Sequence, residues 1–221
     1  MARLIRIWDL PTRIFHWALA ACVIGLVLTA EFDFMDWHFR LGYTVLALLL
    51  FRLIWGVAGG RWSRFGAFLY SPTTVLRYLR GQSAPAHSAG HSPTGALSVY
   101  ALLLFLGVQV ASGLFSDDEV AASGPLTAWV SSRFVSKATW YHSEVGKVIL
   151  IVLVALHVTA VIYYLWRKGE NLISPMFTGD KQLPDAITPS RDDLHTRLLA
   201  AAVLVAAAGL VLLLLRFAPG S

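Results

Sequence analysis

Cysteine is almost missing from this chain: Cys22 is the single one in 221 residues. One thiol cannot build a disulfide framework, a CxxCH attachment for covalent haem or a thiolate cluster for iron and sulfur. Lying inside an apolar run, Cys22 reads as a small core residue. Charge is scarce too. Only 14% of residues are Asp, Glu, Lys or Arg, against about 25% in an ordinary soluble domain. Acidic residues are lacking where the sequence is most apolar, which leaves no carboxylate at membrane depth for a proton relay. The basic residues form no dense stripe, so the net charge of +5 does not indicate nucleic acid.

Hydrophobic residues are abundant instead: 57% of the chain, with a mean hydropathy of +0.63. A window of about 19 residues, enough to cross roughly 30 Å of hydrocarbon, finds five spans. They run from Ile14 to Ala30, Leu41 to Val57, Gly95 to Phe115, Val145 to Trp166 and Leu198 to Arg216. The first loosely resembles a cleaved signal peptide, but His16 and Trp17 would be odd in a disposable apolar core. The chain is thus expected to be an all-α integral membrane protein. Residues 1–181 would form a four-helix bundle, and residues 182–221 a linker and a fifth helix.

Orientation follows from the loops. Arg61, Arg64, Arg77 and Arg80 lie between the second and third spans without an acid among them, so this loop and the N-terminus are read as cytoplasmic. Glu31, Asp33, Asp36, Asp117, Asp118 and Glu119 fall in loops read as facing outward, and the fifth span returns the C-terminus to that side. A bacterial inner membrane is the expected location. Ser92 and Pro93 suit the cap and first position of the third helix. Phe65 to Leu79 is too short to span and reads as an interfacial helix. The segment NLISPMFTGDKQLPDAITPSRDD reads as irregular.

Four histidines sit in or at the edges of the spans. His142 and His157 are fifteen residues apart, which is ~22 Å of rise and ~60° of rotation on a helix. They share a side at opposite depths. With the predicted orientation, His16 and His157 fall at the inner level, and His38 and His142 at the outer one. Two pairs, each drawn from different helices, are what two bis-histidine haems require. Zinc would need further ligands converging on each pair, and no Cys, Asp or Glu is placed to supply them. Gly42 and Gly146 follow His38 and His142 by four residues, one turn along the same face, leaving room for a flat macrocycle; plain helix packing is the other use of such glycines.

The ordered motifs RIFHW, WHFRLGY, RLIWG, GHSPTGALSVYALLL, SGLFSDDE with GPL, WYHSEVGK and GENLISPMFTGDK resemble the prokaryotic cytochrome b561 family over Arg6 to Lys181. That family includes b-type subunits of nickel-iron hydrogenases, membrane cytochromes paired with periplasmic c-type cytochromes, and superoxide oxidases. The resemblance implies a four-helix core with two b haems and His16, His38, His142 and His157 as axial ligands. The fifth span is a departure from the shorter members.

Electron transfer between the membrane quinone pool and a periplasmic redox protein such as a c-type cytochrome is the expected function. A superoxide oxidase or a hydrogenase-like b subunit is the alternative. Arg52, Arg13 and Arg40 are candidates to pair with haem propionates, since a guanidinium binds carboxylates bidentately; snorkelling to headgroups is the competing use. The outward acids suit a lysine-rich partner, whereas Arg40, Arg133, Lys137 and Lys147 would steer superoxide. His87, His91 and His195 read as solvated loop histidines, with proton delivery to a quinone as the alternative.

Overall fold

The computed structural model describes residues 2–82, 87, 89–120, 122–184 and 186–218. Strand β1 (Ala2–Arg6) precedes helices α1 (Leu10–Glu31), α2 (Met35–Ala58), α3 (Pro72–Leu79) and α4 (Pro93–Leu114). Helix α5 (Ser132–Trp140) runs through a π-helical turn, Tyr141–Gly146, into α6 (Lys147–Arg167). Helix α7 (Ile173–Thr178), strand β2 (Asp180–Pro184) and helix α8 (Leu194–Phe217) complete the order. Five helical stretches are long and apolar enough to cross a membrane: α1, α2, α4, the continuous stretch from α5 to α6, and α8. Large side chains such as Ile24, Leu104, Val152 and Leu212 lie exposed on them. The protein is a multi-pass membrane protein, since so much apolar helix surface is stable only against lipid.

Four of the helices begin where the sequence supplies a cap. Asp9 accepts from the Thr12 N–H at 2.8 Å and starts α1, with Pro11 in the first turn. Ser71 accepts from the Thr74 N–H, with Pro72 following. Ser92 accepts from the Gly95 N–H at 3.2 Å ahead of Pro93, the arrangement expected from the sequence. Asp193 accepts from the Thr196 N–H at 2.8 Å and opens α8. These side chains satisfy donors that the first helical turn leaves without partners.

The chain divides into two compact units, residues 1–17, 52–101 and 155–203 in the first, 18–51, 102–154 and 204–221 in the second. In the first unit, β1 and β2 pair antiparallel, Ala2 opposite Pro184 and Arg6 opposite Asp180. This corrects the reading of residues 171–193 as irregular. A strand whose partner lies 174 positions away leaves no local periodicity to find, and Pro184 is tolerated because it falls at the strand's end. Ile5, Ile7, Trp8, Ala89 and Leu183 form a small core here, against which Trp62, Met176 and Ile187 pack. Asp192 fastens the start of α8 to the same region. It accepts from the Leu10 N–H at 3.1 Å, Arg6 Nη1 at 2.5 Å and Arg197 Nε at 3.1 Å.

The second unit has its own core: Val45, Leu49, Leu106 and Val110, packed against Leu19, Cys22, Val23, Leu26, Leu46, Leu103 and Leu150. Cys22 is a partly buried hydrophobe in that cluster. Asp33, at φ 59, takes the left-handed conformation in the turn between α1 and α2, a position that aspartate tolerates better than most residues.

Candidate functional site

In the first unit, α1 carries His16 and α6 carries His157, and their ring centroids stand 6.5 Å apart at an interplanar angle of 51°. The neighbourhood is held by α7. Trp17 stacks on Phe177 at 4.5 Å and its Nε1 donates to the Met176 carbonyl at 3.1 Å. Arg13 donates to the Phe177 carbonyl as well. His16 Nδ1 is buried and meets no partner.

In the second unit, His38 of α2 and His142 of the π turn stand 6.1 Å apart, centroid to centroid, at 89°. Their Nδ1 atoms lie 3.1 Å from the Leu26 carbonyl and 2.9 Å from the Gln109 carbonyl. A carbonyl only accepts, so each Nδ1 carries the proton and each Nε2 keeps its lone pair. This is the neutral tautomer that binds a metal through Nε2, fixed by a backbone acceptor behind it. His142 lies in the π turn, a feature common at functional sites in general.

Both pairs have the separation that a shared metal demands. Imidazole–metal bonds of about 2.0–2.1 Å, plus ~1.1 Å from nitrogen to ring centre on each side, put two trans rings roughly 6.3 Å apart. Among the described residues no group of three or more His, Cys, Asp and Glu converges to hold a metal ion. Two nitrogens per site leave the remaining positions to a ligand that brings its own donors, and a haem supplies four in its plane. Each pair of imidazoles would suit a haem of the b type.

The glycines divide. A Cβ at Gly42 would meet nothing within 4 Å, so open space lies beside that turn of α2. At Gly146 the space is filled instead by Gln109, whose Oε1 would stand 1.9 Å from a Cβ there. Gln109 Nε2 donates to the His142 carbonyl at 2.8 Å, so Gly146 makes room for the side chain that braces the π turn. Gly113, which sequence reasoning passed over, is the glycine against an imidazole: a Cβ there would lie 2.7 Å from His142 Cε1. A glycine twenty-nine positions away in sequence gave no signal of that contact.

Of the three arginines, Arg52 is buried at 4% exposure with its Nη1 unpartnered and its guanidinium 4.5 Å over the Phe65 ring. Arg13 is engaged with the Phe177 carbonyl and stands 3.8 Å from Asp192. Arg40 is exposed and lies over Trp37 at 5.4 Å. His91 is not the solvated loop residue expected. Its ring is wedged between Trp8 at 4.7 Å and Phe68 at 4.4 Å, with Nδ1 buried and unpartnered. Burial first, and the charge of Arg52 after it, push His91 down to about 3. His87 packs edge-on against Tyr70 and Tyr78, and His195 is exposed.

Asp9 was also missed by sequence reasoning. Wholly buried, its Oδ1 accepts from the Thr12 N–H and, at 3.3 Å, from Trp55 Nε1. Its Oδ2 accepts from the Gly60 N–H at 3.2 Å and the Ser63 hydroxyl at 2.7 Å. A buried carboxylate survives only when its lone pairs are used in this way. Its effect is to bind the start of α1 to the end of α2. The cap signal of WDLPT was readable, but the three distant donors were not.

The profile of the prokaryotic cytochrome b561 family matches residues 7–179. Three curated proteins, each named a probable Ni/Fe-hydrogenase B-type cytochrome subunit, are similar along most of their length. The one from Bradyrhizobium diazoefficiens is 24% identical over 217 residues, covering 81% of this chain and 86% of its own. Those from Cupriavidus necator and Azotobacter vinelandii are 23% and 25% identical, each over 81% of this chain and over 87% and 89% of their own. No solved structure matches. Five apolar helices, paired imidazoles and a profile match over most of the sequence agree: the chain belongs to the prokaryotic cytochrome b561 family.

Proposed function

We propose that this chain is a two-haem electron carrier that connects the membrane quinone pool to a redox protein at the outer face of the bacterial cytoplasmic membrane, such as a c-type cytochrome. The observation that carries the reading is the pair of imidazole pairs, 6.5 Å and 6.1 Å apart, each drawn from two helices. A bound haem b supplies a one-electron iron couple. The protein's part is to hold, orient and insulate it. His16 and His157 would hold the inner haem, and His38 and His142 the outer one, with inner and outer assigned from the arginine-rich loop 59–92. The Leu26 and Gln109 carbonyls raise the basicity of the outer ligands and fix their rings.

Charge near the His38/His142 pair favours a cationic partner. A cavity of about 360 Å³ beside the π turn is lined by Asp117, Asp118, Glu119 and Glu144. Acids so placed attract a lysine-rich protein surface and repel superoxide. The names of the curated relatives favour a second reading of the same chemistry, in which the outer partner is a hydrogenase-like enzyme.

Anaerobic spectra with haem quantified, taken before and after a quinol is added, test the reading. Two b haems per chain, reduced by quinol, are expected. Haem reduction by a protein donor should slow as salt rises, because the Debye length falls from about 10 Å at 0.1 M to about 3 Å at 1 M. Haems that stay oxidised with quinol yet reduce rapidly with superoxide, and lose that rate when Lys137 or Arg133 is neutralised, would turn the function over to superoxide oxidation.

A further inference from the structure

Five buried side-chain polar atoms lack a hydrogen-bond partner among the described residues: Arg13 Nε, His16 Nδ1, Arg52 Nη1, His91 Nδ1 and Gln109 Oε1. The first four belong to one unit, the one that holds His16 and His157. The two arginine atoms can only donate, and an imidazole nitrogen can donate once it carries the proton. A concentration of unanswered donors in a buried place calls for an acceptor, since each such group left unmet carries its full desolvation penalty.

Two of these groups share one platform. Arg52 lies 4.5 Å over Phe65, and His91 packs 4.4 Å from Phe68. Phe65 and Phe68 touch each other at 5.9 Å, and both meet the Tyr100 ring, at 5.9 and 5.4 Å. His91 is within electrostatic reach of Arg52, His16 and His157. The buried carboxylate of Asp9 lies within electrostatic reach of Arg52 but gives neither group a hydrogen bond. Asp9 has both oxygens committed to Thr12, Trp55, Gly60 and Ser63.

We propose that Arg52 and His91 together clasp a carboxylate, and that this carboxylate is a propionate of the haem held by His16 and His157. The assignment rests on the two-haem reading given above. Arg52 supplies a fixed positive charge and a planar fork of donors, and His91 supplies one N–H from the opposite end of the aromatic platform. A quinone carbonyl is uncharged and would give the guanidinium only a neutral acceptor, whereas a carboxylate gives Arg52 Nη1 a charge-assisted one, so the arginine favours the anion.

The test uses the full-length protein reconstituted with haem b or with haem dimethyl ester, whose propionates cannot carry charge. With haem b, Arg52→Gln and His91→Phe should each weaken retention of the inner haem by roughly tenfold, the scale of one charge-assisted hydrogen bond. Arg52→Gln should also lower that haem's midpoint potential, because removing a nearby cation favours the ferric state. With the dimethyl ester, the parent should already show the weaker retention, and neither substitution should weaken it further. If the parent holds ester and haem b equally at the inner site, the clasp is refuted whether or not the variants fold. Variants that weaken both forms alike, or that change quinol affinity and leave the potential in place, also refute it. A chain that binds no haem overturns the two-haem reading itself, whereas two bound haems with an ester-indifferent inner site overturn only the clasp.

Discussion

Replacing Gly113 with alanine puts one methyl group against the ring of His142. The new carbon would lie 2.7 Å from Cε1 and 3.1 Å from Nδ1, where carbon–carbon contacts are comfortable at about 3.5–4.0 Å. The ring must therefore yield by about 1 Å. It is not free to do so cheaply, because Nδ1 donates to the Gln109 carbonyl at 2.9 Å, and a shift of that size takes the bond outside the usual 2.7–3.2 Å range. Disturbing the acceptor behind a metal-binding histidine typically costs about 10–100-fold in affinity, or about 1.4–2.8 kcal/mol. Gly113→Ala is expected to lose the outer haem in that proportion and keep the inner one. Gly107→Ala on the same helix is the control: nothing lies within 4 Å of its new carbon, and exchanging glycine for alanine in a helix gains up to about 1 kcal/mol. Haem per chain after dilution, together with a redox titration, reads both. A Gly113→Ala protein that retains two haems at unchanged potentials would show that His142 does not hold a haem in the orientation described.

Three further outcomes are expected. Alanine at His16 or His157 should leave the same single haem, and alanine at His38 or His142 the other one; pyridine haemochrome counts with low-temperature spectra would expose a wrong pairing if His16→Ala and His38→Ala removed the same haem. Asp9→Ala strands four buried donors and should destabilise the detergent-solubilised protein by about 2–4 kcal/mol, seen as a lower Tm; an unchanged Tm would mean that water replaces the carboxylate. Asp192 is held below the usual carboxylate range: burial pushes it up, but Arg197, the Leu10 N–H and Arg6 outweigh burial. A depressed carboxylate contributes stability above its unfolded value of about 3.9 and loses it as pH falls through the lower folded value. The Tm gap between the parent and Asp192→Asn should therefore be full at neutral pH, at about 2 kcal/mol, and close below about pH 4; a gap that does not change with pH rejects the ionic contribution.

The apolar spans were readable because lipid imposes a length and a composition on each segment separately. The juxtaposition of His16 with His157 and of His38 with His142 was readable because alternating spans turn chain order into depth. What escaped was anything decided by a distant partner. The strand Asp180–Pro184 reads as a Pro-bounded loop until Ala2–Arg6 lies beside it. Gly146 follows its histidine by one turn, which suited a macrocycle or plain helix packing alike, and the side chain across from it, Gln109, comes from another helix. His91 sits in a loop that looks solvated, and only the packing of Trp8 and Phe68 shows that it is not. The π turn at Tyr141–Gly146 has no sequence signature of its own, because the residue types that tolerate it also make ordinary helix.

The antiparallel ladder between residues 2–6 and 180–184 also sets a schedule for biogenesis. Its second strand is made some 174 residues after its first, which at about 5–20 residues per second is a wait of roughly 10–35 s. During that interval the first four spans can enter the bilayer, but Ile7 and Trp8 have no Gly179 carbonyl to receive their N–H groups. Asp192, which ties down Arg6 and Leu10, arrives later still. The region around His16 therefore acquires its frame only once the chain has been made as far as Asp192, although it lies on α1.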